Sequence, residues 1–412
     1  MKIAVVASSD KSFIQYFLPN YLPENLPIGF EGSPFIGTLI NSLLENNHEV
    51  YALTISKAIN NDYTIQYFTY KNFTWVVVPC RPFSIRFNGN KLGRIIDLYS
   101  FEINQLKNAI KYICPDFVHA HWSYEFAGAA IKSKLPYLIT VHDNSWKIFC
   151  YFKNFYRFGK FLMSEINLRK ASFTSTVSPY MQPYLIKRCK NVKIIPNPTQ
   201  ININGIELKE MIEEKSKTLH SPKIIMINNG WDPRKNGVVG LKVFQNIKKK
   251  IPFATLHLLG NGTEMNGLAW HDVQKLQLQD VFFYGSVHHT IVKKHVAEAH
   301  LLIHPSLEES FGVVLIEAMS YGVPAVGGSK SGAVPWVINN NHLLVDTTNI
   351  IEFGKKIESL LTDVTNYKAI SHACYLNAVN RFSDKAVYEG YINYYSEILS
   401  TCKKPALDNI IN

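Results

Sequence analysis

Residues 301–328 read LLIHPSLEESFGVVLIEAMSYGVPAVGG, and this stretch predicts a strand, a loop, a helix and a second strand. The apolar run at its start is typical of a buried strand, and helical spacing of apolar residues begins near Gly312. Gly322 is placed to cap the end of the helix, and Pro324 prevents its continuation. A strand–helix–strand unit of this kind indicates a parallel sheet in an α/β protein.

The same alternation of short apolar runs and amphipathic stretches extends along the whole chain of 412 residues. This length exceeds what one hydrophobic core usually supports. We therefore predict two Rossmann-like domains, at residues 1–198 and 221–384, joined by a Pro/Asn-rich and then charged linker at 199–220. Because ligands of open α/β sheets bind at the carboxyl ends of the strands, the site is expected in a cleft across which the domains face each other.

The composition excludes several classes of protein. The six cysteines lie far apart without a Cys-x-x-Cys pair, as expected for thiols in a reducing compartment. The opening MKIAVVASSD becomes polar by Ser8, far short of the apolar segment of a signal peptide. No uncharged apolar run approaches the about 18 residues of a membrane-spanning helix. The sequence therefore predicts a cytoplasmic protein.

Two carboxylates mark the segment that follows the strand at 301–303. Glu309 is expected in the loop before the helix and Glu317 on its second turn, so both can face the same site. The helix start at Phe311–Val313 offers backbone N–H groups suited to a diphosphate. Carboxylates there suit sugar and ribose hydroxyls, so the parts describe a nucleotide-sugar site. The alternative is that neither glutamate binds a ligand: Glu317 would then be a solvated helix residue, and Glu309 a first-turn acid favoured by the helix dipole.

Residues 304–338, HPSLEESFGVVLIEAMSYGVPAVGGSKSGAVPWVI, resemble the signature of retaining family-4 glycosyltransferases with the GT-B fold. The Glu-x7-Glu motif of that family matches Glu309 and Glu317. Further similar stretches follow in order along most of the chain, among them PDFVHAHW, PYLITVHD, KIIPNPT and VFFYGSV. The resemblance implies an α/β GT-B fold, a nucleotide-sugar donor, and a last helix at 385–400 that crosses back to the first domain.

The resemblance also implies roles for individual residues. His142, at the end of a predicted strand, is expected to contact the transferred sugar near the reacting bond, together with Glu309. Lys235 matches the lysine that neutralises the donor diphosphate. Family members usually carry an arginine after the strand's glycine, whereas this chain has Trp231, and Arg234 is the candidate to replace it. The other positions expected at the donor are Gly32, Gly285, Ser286, Phe311, Gly312, Val313 and Glu317.

The expected chemistry needs no cofactor. The sequence contains no Asp-x-Asp motif, with which the other large glycosyltransferase fold holds a metal, and Lys235 with the helix N-terminus can take over that task. We therefore expect a metal-independent hexosyltransferase in which the leaving phosphate oxygen accepts the proton of an acceptor attacking from the same face. The alternative is a catalytically weak GT-B relative that binds nucleotide or sugar and acts as a scaffold at a membrane surface.

A basic window indicates the partner. Residues 147–193 contain ten Lys and Arg and a single acid, Glu165. This window therefore supplies nine of the eleven net positive charges of the chain. Interleaved aromatic residues make this window suited to an anionic membrane surface, and hence to a lipid-linked or glycan acceptor in cell-surface polysaccharide or lipopolysaccharide synthesis. The aromatics could instead be domain core beneath a solvated face. No nucleic-acid-binding motif appears, so nucleic acid is not an expected partner.

Overall fold

The computed structural model describes residues 1–30, 33–57 and 64–403. Its helices and strands form two compact units. The N-terminal unit comprises Met1–Pro198 and the chain from Val387 onward, and the C-terminal unit comprises Thr199–Ala386.

The strands of the N-terminal unit form one twisted α/β sheet. They are β1 (Lys2–Val6), β2 (Glu49–Ser56), β3 (Gln66–Tyr70), β4 (Phe73–Pro79), β5 (Phe117–His121), β6 (Tyr137–Val141), β7 (Phe173–Thr176) and β8 (Asn191–Ile194). The order of the described strands is β3-β4-β2-β1-β5-β6-β7-β8, and only β3 runs antiparallel to its neighbour. Strands β4 and β5 are wholly buried, as expected for parallel strands covered on both faces.

Helices connect these strands, as the alternating pattern predicts. They are α1 (Lys11–Ile14), α2 (Pro34–Glu45), α3 (Ser100–Ile113), α4 (Glu125–Ser133), α5 (Ser145–Phe152), α6 (Phe155–Lys170) and α7 (Gln182–Ile186). Short 3-10 turns occupy Gln15–Phe17, Pro23–Asn25 and Pro179–Met181.

The C-terminal unit contains a second parallel sheet. Its strands are β9 (Lys223–Ile227), β10 (Thr255–Leu259), β11 (Val281–Gly285), β12 (Leu301–His304), β13 (Ala325–Gly328) and β14 (Leu344–Val345). Its helices are α8 (Gly205–Lys217), α9 (Gly237–Lys250), α10 (Leu268–Lys275), α11 (His289–Glu298), α12 (Val313–Met319), α13 (Val334–Ile338), α14 (Ile350–Thr362) and α15 (Val364–Phe382), with a 3-10 turn at Asn341–Leu343. The described strands follow the order β11-β10-β9-β12-β13-β14. The predicted α/β class with two Rossmann-like parallel sheets is confirmed.

The last helix, α16 (Asp384–Lys403), packs against the N-terminal sheet from Val387 onward. Tyr391, Tyr394 and Tyr395 are buried on this helix. Tyr395 stacks on Phe117 at 4.4 Å between ring centroids, and its hydroxyl lies 2.6 Å from Nδ1 of His119. The helix is therefore part of the core of the first unit, although it is the last element of the chain.

The segment 199–220, expected as a linker, contains a capped helix of the C-terminal unit. The Asn204 side chain accepts from the backbone N–H groups of Ile206 and Glu207, while the Glu207 carboxylate accepts from the Asn204 N–H. Leu208 and Ile212, four residues apart, pack together in a buried cluster on α15. Two apolar positions in a charged stretch were too few to reveal this buried stripe from the sequence.

Helix α8 also buries a lysine. Lys215 is 9% exposed, its Nζ has no hydrogen-bond partner among the described residues, and burial lowers its pKa from 10.5 to about 7. We expect Lys215→Met to raise the free energy of unfolding by about 4 kcal/mol near pH 7, because the unfolded state binds the proton that the folded state excludes. The gain should be largest below pH 7 and fade as the pH rises towards 10.5.

Urea denaturation at several pH values measures this effect. Lys217→Met is the matched control, because Lys217 is exposed on the same helix and pairs with Glu214 at 2.6 Å. It should change stability by less than about 0.5 kcal/mol. A Lys215→Met protein that is no more stable than the wild type, or whose advantage does not depend on pH, would contradict the prediction.

Candidate functional site

Two loops meet at the carboxyl edge of the C-terminal sheet. One follows β9 and the other follows β12, and these strands are neighbours. The Leu307 N–H donates to the Arg234 carbonyl at 2.8 Å, and the Asn236 side-chain amide donates to the Pro305 carbonyl at 3.1 Å. These bonds lock the two loops together, so that residues distant in sequence share one site.

Glu309 is the centre of an ion cluster at this edge. The residue is 8% exposed, and its carboxylate accepts from Lys235 Nζ at 2.6 Å, with Arg234 Nη1 at 3.9 Å and His304 Nε2 at 3.5 Å. Burial alone would raise the pKa of the Glu309 carboxyl, but the neighbouring cations and His304 outweigh it and hold that pKa well below its ordinary range. The carboxylate is therefore ionised at neutral pH and already paired.

A turn explains why adjacent cations reach the same carboxylate. The Asp232 side chain accepts from the backbone N–H groups of Arg234 at 2.9 Å and Lys235 at 3.3 Å, which bends the chain sharply. Trp231 lies on the other side of this turn, where its Nε1 donates to Asp272 at 2.9 Å. Arg234 therefore brings a guanidinium to Glu309. Trp231, which follows Gly230 where family members usually carry an arginine, does not.

The helix that follows Glu309 forms as predicted. Gly312 has φ +89° directly before α12, and Gly322 has φ +63° after it, so both occupy left-handed conformations that favour glycine. A Cβ at Gly312 would stand 2.9 Å from the Leu315 side chain, which excludes larger residues without rearrangement. Val313, the first residue of α12, is half-buried.

Phe311 and Glu317 take different environments. The Phe311 ring is buried edge-to-face on Phe382 at 5.6 Å, so its side chain is not open to a ligand. Glu317 lies on α12 with a side chain 14% exposed, and its carboxylate lies 2.7 Å from Nε2 of His289. Glu317 is therefore a half-buried, hydrogen-bonded carboxylate, and not a solvated residue on the outer face of the helix.

The remaining predicted donor positions are Gly32, Gly285 and Ser286. Gly285 ends β11 with φ +64°, and a Cβ there would stand 3.0 Å from Glu264. Ser286 is exposed beside it. Gly32 lies outside the described residues. The Glu264 carboxylate, which sequence reasoning missed, accepts from the Gly262 N–H at 2.9 Å and orders the loop next to Gly285.

Buried polar atoms without partners collect at the ends of β9 and β12. Both side-chain amide atoms of Asn228, the Ser306 hydroxyl and Arg234 Nε have no hydrogen-bond partner within the described part of the chain. Asn228 and Ser306 are fully buried. Because such groups are rarely left unsatisfied, they mark a place where a polar ligand or water binds. The polar residues directly after each apolar strand, NNG and HPS, were the available sequence signal.

His142 lies at the end of β6 in the N-terminal unit, in a row of imidazoles. Its Nε2 lies 2.9 Å from Nδ1 of His121, and the His121 ring centroid lies 4.0 Å from that of His119. Burial lowers the pKa of His142 to about 3 and lowers those of His119 and His121 well below the ordinary value, so all three rings are neutral near pH 7. A hydrogen bond with the Asn197 side chain opposes this lowering for His142 but does not outweigh burial. His121, at the end of β5, is a buried partner of His142.

The aromatic residues of the basic window divide between the core and the surface: Tyr156, Tyr180 and Tyr184 pack against the core, whereas Tyr151, Phe152, Phe155 and Phe158 are exposed. On α6 the side chains of Phe155, Phe158, Leu162 and Ile166 are exposed along one stripe, whereas Lys160 and Glu165 are buried. Lys160 pairs with Glu125 at 2.6 Å, and Arg188 pairs with Glu165 at 2.6 Å. The helix thus turns an apolar face to solvent, and the interpretation of these aromatics as core is wrong for this stripe.

The described residues contain neither a candidate metal cluster nor a candidate membrane-spanning helix. Across 1–30, 33–57 and 64–403, no three His, Cys, Asp or Glu side chains gather in a way that could hold a metal ion. None of the helices in those ranges combines the length and apolar character needed to cross a bilayer.

Comparison with known families matches both units. Residues 34–202 match the model described as glycosyltransferase family 4, and residues 209–375 match the model described as glycosyl transferases group 1. A 41.2 kDa protein of the cps region of Klebsiella pneumoniae, itself uncharacterized, is 23% identical over 325 residues, which cover 74% of this chain and 86% of that protein.

Solved structures show the same fold. Sucrose-phosphate synthase of Thermosynechococcus elongatus superimposes with a TM-score of 0.71 at 16% identity, over 97% of this chain and 100% of that chain. HepE of Anabaena, in complex with UDP, gives a TM-score of 0.65 at 15% identity, over 96% of this chain and 100% of that chain. From its two family domains and its fold, the chain is a glycosyltransferase of the GT-B type.

Proposed function

We propose that this chain transfers a hexose from a nucleotide-diphosphate sugar to a hydroxyl group of a glycan or lipid-linked acceptor, with retention at the anomeric carbon. The ion cluster of Lys235, Arg234 and Glu309 carries the proposal. Two cations converge on one buried carboxylate, with Lys235 Nζ at 2.6 Å and Arg234 Nη1 at 3.9 Å. A donor diphosphate would bind these cations in a partly buried site, where electrostatic interactions are strong.

The residues divide the donor between them. Lys235 and Arg234 bind the diphosphate together with the backbone at Phe311–Val313, and Glu309 accepts hydrogen bonds from the hexose. Glu317 accepts hydrogen bonds from the ribose hydroxyls. Its carboxylate must then either give up its hydrogen bond with His289 or bind the ribose and His289 together. The remaining donor positions are Gly32, Gly285 and Ser286, and His142 contacts the transferred sugar.

The reaction is a substitution at the anomeric carbon. The bond from that carbon to the phosphate oxygen breaks, the bond to the acceptor oxygen forms on the same face, and the acceptor proton passes to the leaving phosphate oxygen. Lys235 and Arg234 stabilise the negative charge that develops on the leaving group. Glu309 is ion-paired with Lys235 and therefore acts as a ligand of hydroxyls rather than as a nucleophile. The pKa of about 3 keeps His142 neutral, so it offers a hydrogen bond without adding charge.

Protein cations take the place of a metal in this proposal. Lys235 and Arg234 supply two positive charges at one point, which is the electrostatic task that a divalent ion performs on a diphosphate in other transferases. We therefore propose that neither the binding of the donor nor the transfer requires a divalent cation.

The acceptor is proposed to lie at an anionic membrane surface, reached by a peripheral enzyme on the cytoplasmic face. The exposed apolar stripe of α6 and the exposed cations Lys147 and Lys153 support this docking through residues 147–193. The related Klebsiella protein is named for the cps region, which supports a role in cell-surface polysaccharide synthesis. Nucleic acid is not a proposed partner.

A thermal-shift screen with nucleoside diphosphates and their sugars tests the proposal. A ligand at 100 times its Kd stabilises the protein by about 2.7 kcal/mol. We expect one base to stand out, the shift to survive a chelator, and Glu317→Ala to abolish it. Glu358→Ala, on α14 of the same unit, is the control and should leave the shift unchanged.

The outcomes separate enzyme from scaffold. Release of the nucleoside diphosphate in the presence of a polysaccharide or lipid-linked acceptor identifies the enzyme. Binding without any turnover across such acceptors would favour the catalytically weak relative instead. The absence of a response to every nucleotide would rule out the enzyme, and loss of the shift in chelator would rule out the metal-independent site.

A further inference from the structure

The segment 82–96 of the N-terminal unit, here named the Phe83 loop, exposes an unusual number of apolar side chains. Phe87 is 69% exposed, and the others are also open to solvent. The exposed apolar residues of the loop are Phe83, Ile85, Phe87, Leu92 and Ile96. Contiguous apolar surface of this kind marks an interaction site in a soluble protein.

Internal hydrogen bonds order this loop. The Asn88 side chain accepts from the Phe83 N–H at 2.9 Å and donates to the carbonyls of Phe83 at 3.1 Å and Leu92 at 3.1 Å. At its base, buried Arg81 donates to the Leu92 carbonyl at 2.8 Å and pairs with Asp97 at 2.7 Å. Hydrogen bonds therefore hold the backbone of the loop in a conformation that leaves its apolar side chains exposed.

The loop adjoins the exposed stripe of α6. A Cβ at Gly159 would stand 2.4 Å from the Ile95 side chain, so the base of the loop packs directly on that helix. Gly159 lies four residues after Phe155 and three before Leu162, at the edge of the stripe. The base of the loop therefore contacts the edge of the stripe.

The charge around the loop and the stripe selects their partner. No acid occurs between Arg81 and Ile96, nor between Asn144 and Ser164, while Arg86, Lys147 and Lys153 are exposed. A second copy of the chain would place one predominantly cationic surface against another, which is unfavourable. Phe and Ile side chains ringed by Lys and Arg suit the boundary between the head groups and acyl chains of an anionic bilayer.

We infer that the Phe83 loop inserts its apolar tip into the head-group boundary of an anionic bilayer, beside the α6 stripe. This inference deepens the proposed function. It rests on one part of that proposal, which is that the acceptor lies at a membrane. Residues 147–193 then supply most of the electrostatic attraction, and the loop supplies insertion that salt does not screen.

Co-flotation of the full chain with vesicles tests the inference. The vesicles contain phosphatidylcholine alone or with about 30% phosphatidylglycerol, and binding is measured over a salt series. The loop variant Phe83→Ser/Ile85→Ser/Phe87→Ser should lower the partition coefficient on anionic vesicles about tenfold or more, with the salt dependence unchanged. The charge variant Lys147→Ser/Lys153→Ser should weaken binding and flatten the salt dependence.

A matched control removes three exposed apolar residues from the C-terminal unit, Ile206, Phe253 and Ile351, each to serine, and should bind as the wild type does. The loop variant should keep the wild-type thermal shift with the responding nucleoside diphosphate, which shows that it is folded. If no nucleotide binds, the proposed function fails while the vesicle result still decides the inference. A loop variant that floats like the wild type would overturn it, as would a wild-type oligomer that the loop variant dissociates.

Discussion

Replacement of Lys235 by methionine is expected to lower kcat/KM about 10²–10³-fold, the usual effect of removing one preorganised charge donor from a leaving group. In the free protein Lys235 lies 2.6 Å from Glu309, and Arg234 stays 3.9 Å from the same carboxylate. The variant therefore retains one cation and should bind a nucleoside diphosphate weakly rather than not at all. Rates of nucleotide release at saturating acceptor, with thermal shifts, measure both effects.

Two further variants separate catalysis from stability. Lys330→Met removes a lysine of the same unit whose side chain is 88% exposed, and it should leave activity unchanged. Lys235→Met alone leaves a buried carboxylate short of its partner, which destabilises a protein by about 3–5 kcal/mol. The double variant Lys235→Met/Glu309→Gln removes both charges and should regain much of that stability while remaining inactive. Recovery of transfer in the double variant would show that Lys235 serves the fold alone.

The sequence predicted the elements that carry the C-terminal site because several local signals agreed there. The run before Pro305 formed β12, Gly312 and Gly322 bounded α12, and both glycines adopt positive φ. Such positions depend on backbone sterics within a few residues and are readable without knowledge of the fold. Hydrophobic runs bounded by turn residues located most of the strands for the same reason.

Side-chain directions could not be predicted in this way. Whether Arg234 and Lys235 converge depends on the turn closed by Asp232, and neighbouring residues have no fixed relation in a loop. The buried His304 beside Glu309 was missed because a histidine at a strand end has many ordinary roles. The outward face of α6 was equally hidden, since helical spacing identifies an apolar stripe but not whether protein or solvent covers it.

Glu309→Gln is expected to have opposite effects on the free protein and on transfer. The amide keeps the shape but removes the charge that balances Lys235 and Arg234, so the free variant should lose about 3–5 kcal/mol of stability. The pKa of Glu309 in the folded protein lies below its ordinary 4.5. The ionised carboxylate therefore stabilises the fold above pH 4.5, and this stabilisation is lost as the pH falls through the pKa of the folded state. The difference between wild type and variant should therefore be constant from pH 6 to 8 and shrink in acid.

Ligands make the two roles of Glu309 separable. A nucleoside diphosphate without sugar supplies the missing negative charge, so it should raise the melting temperature of Glu309→Gln at least as much as that of the wild type. The nucleotide sugar should add nothing further in the variant, because the hexose has lost its carboxylate, and transfer should fall about 10²–10³-fold. Glu358→Gln is the control. If the variant responds to the sugar nucleotide as the wild type does, Glu309 does not bind the hexose, and its function is limited to balancing two cations until the diphosphate arrives.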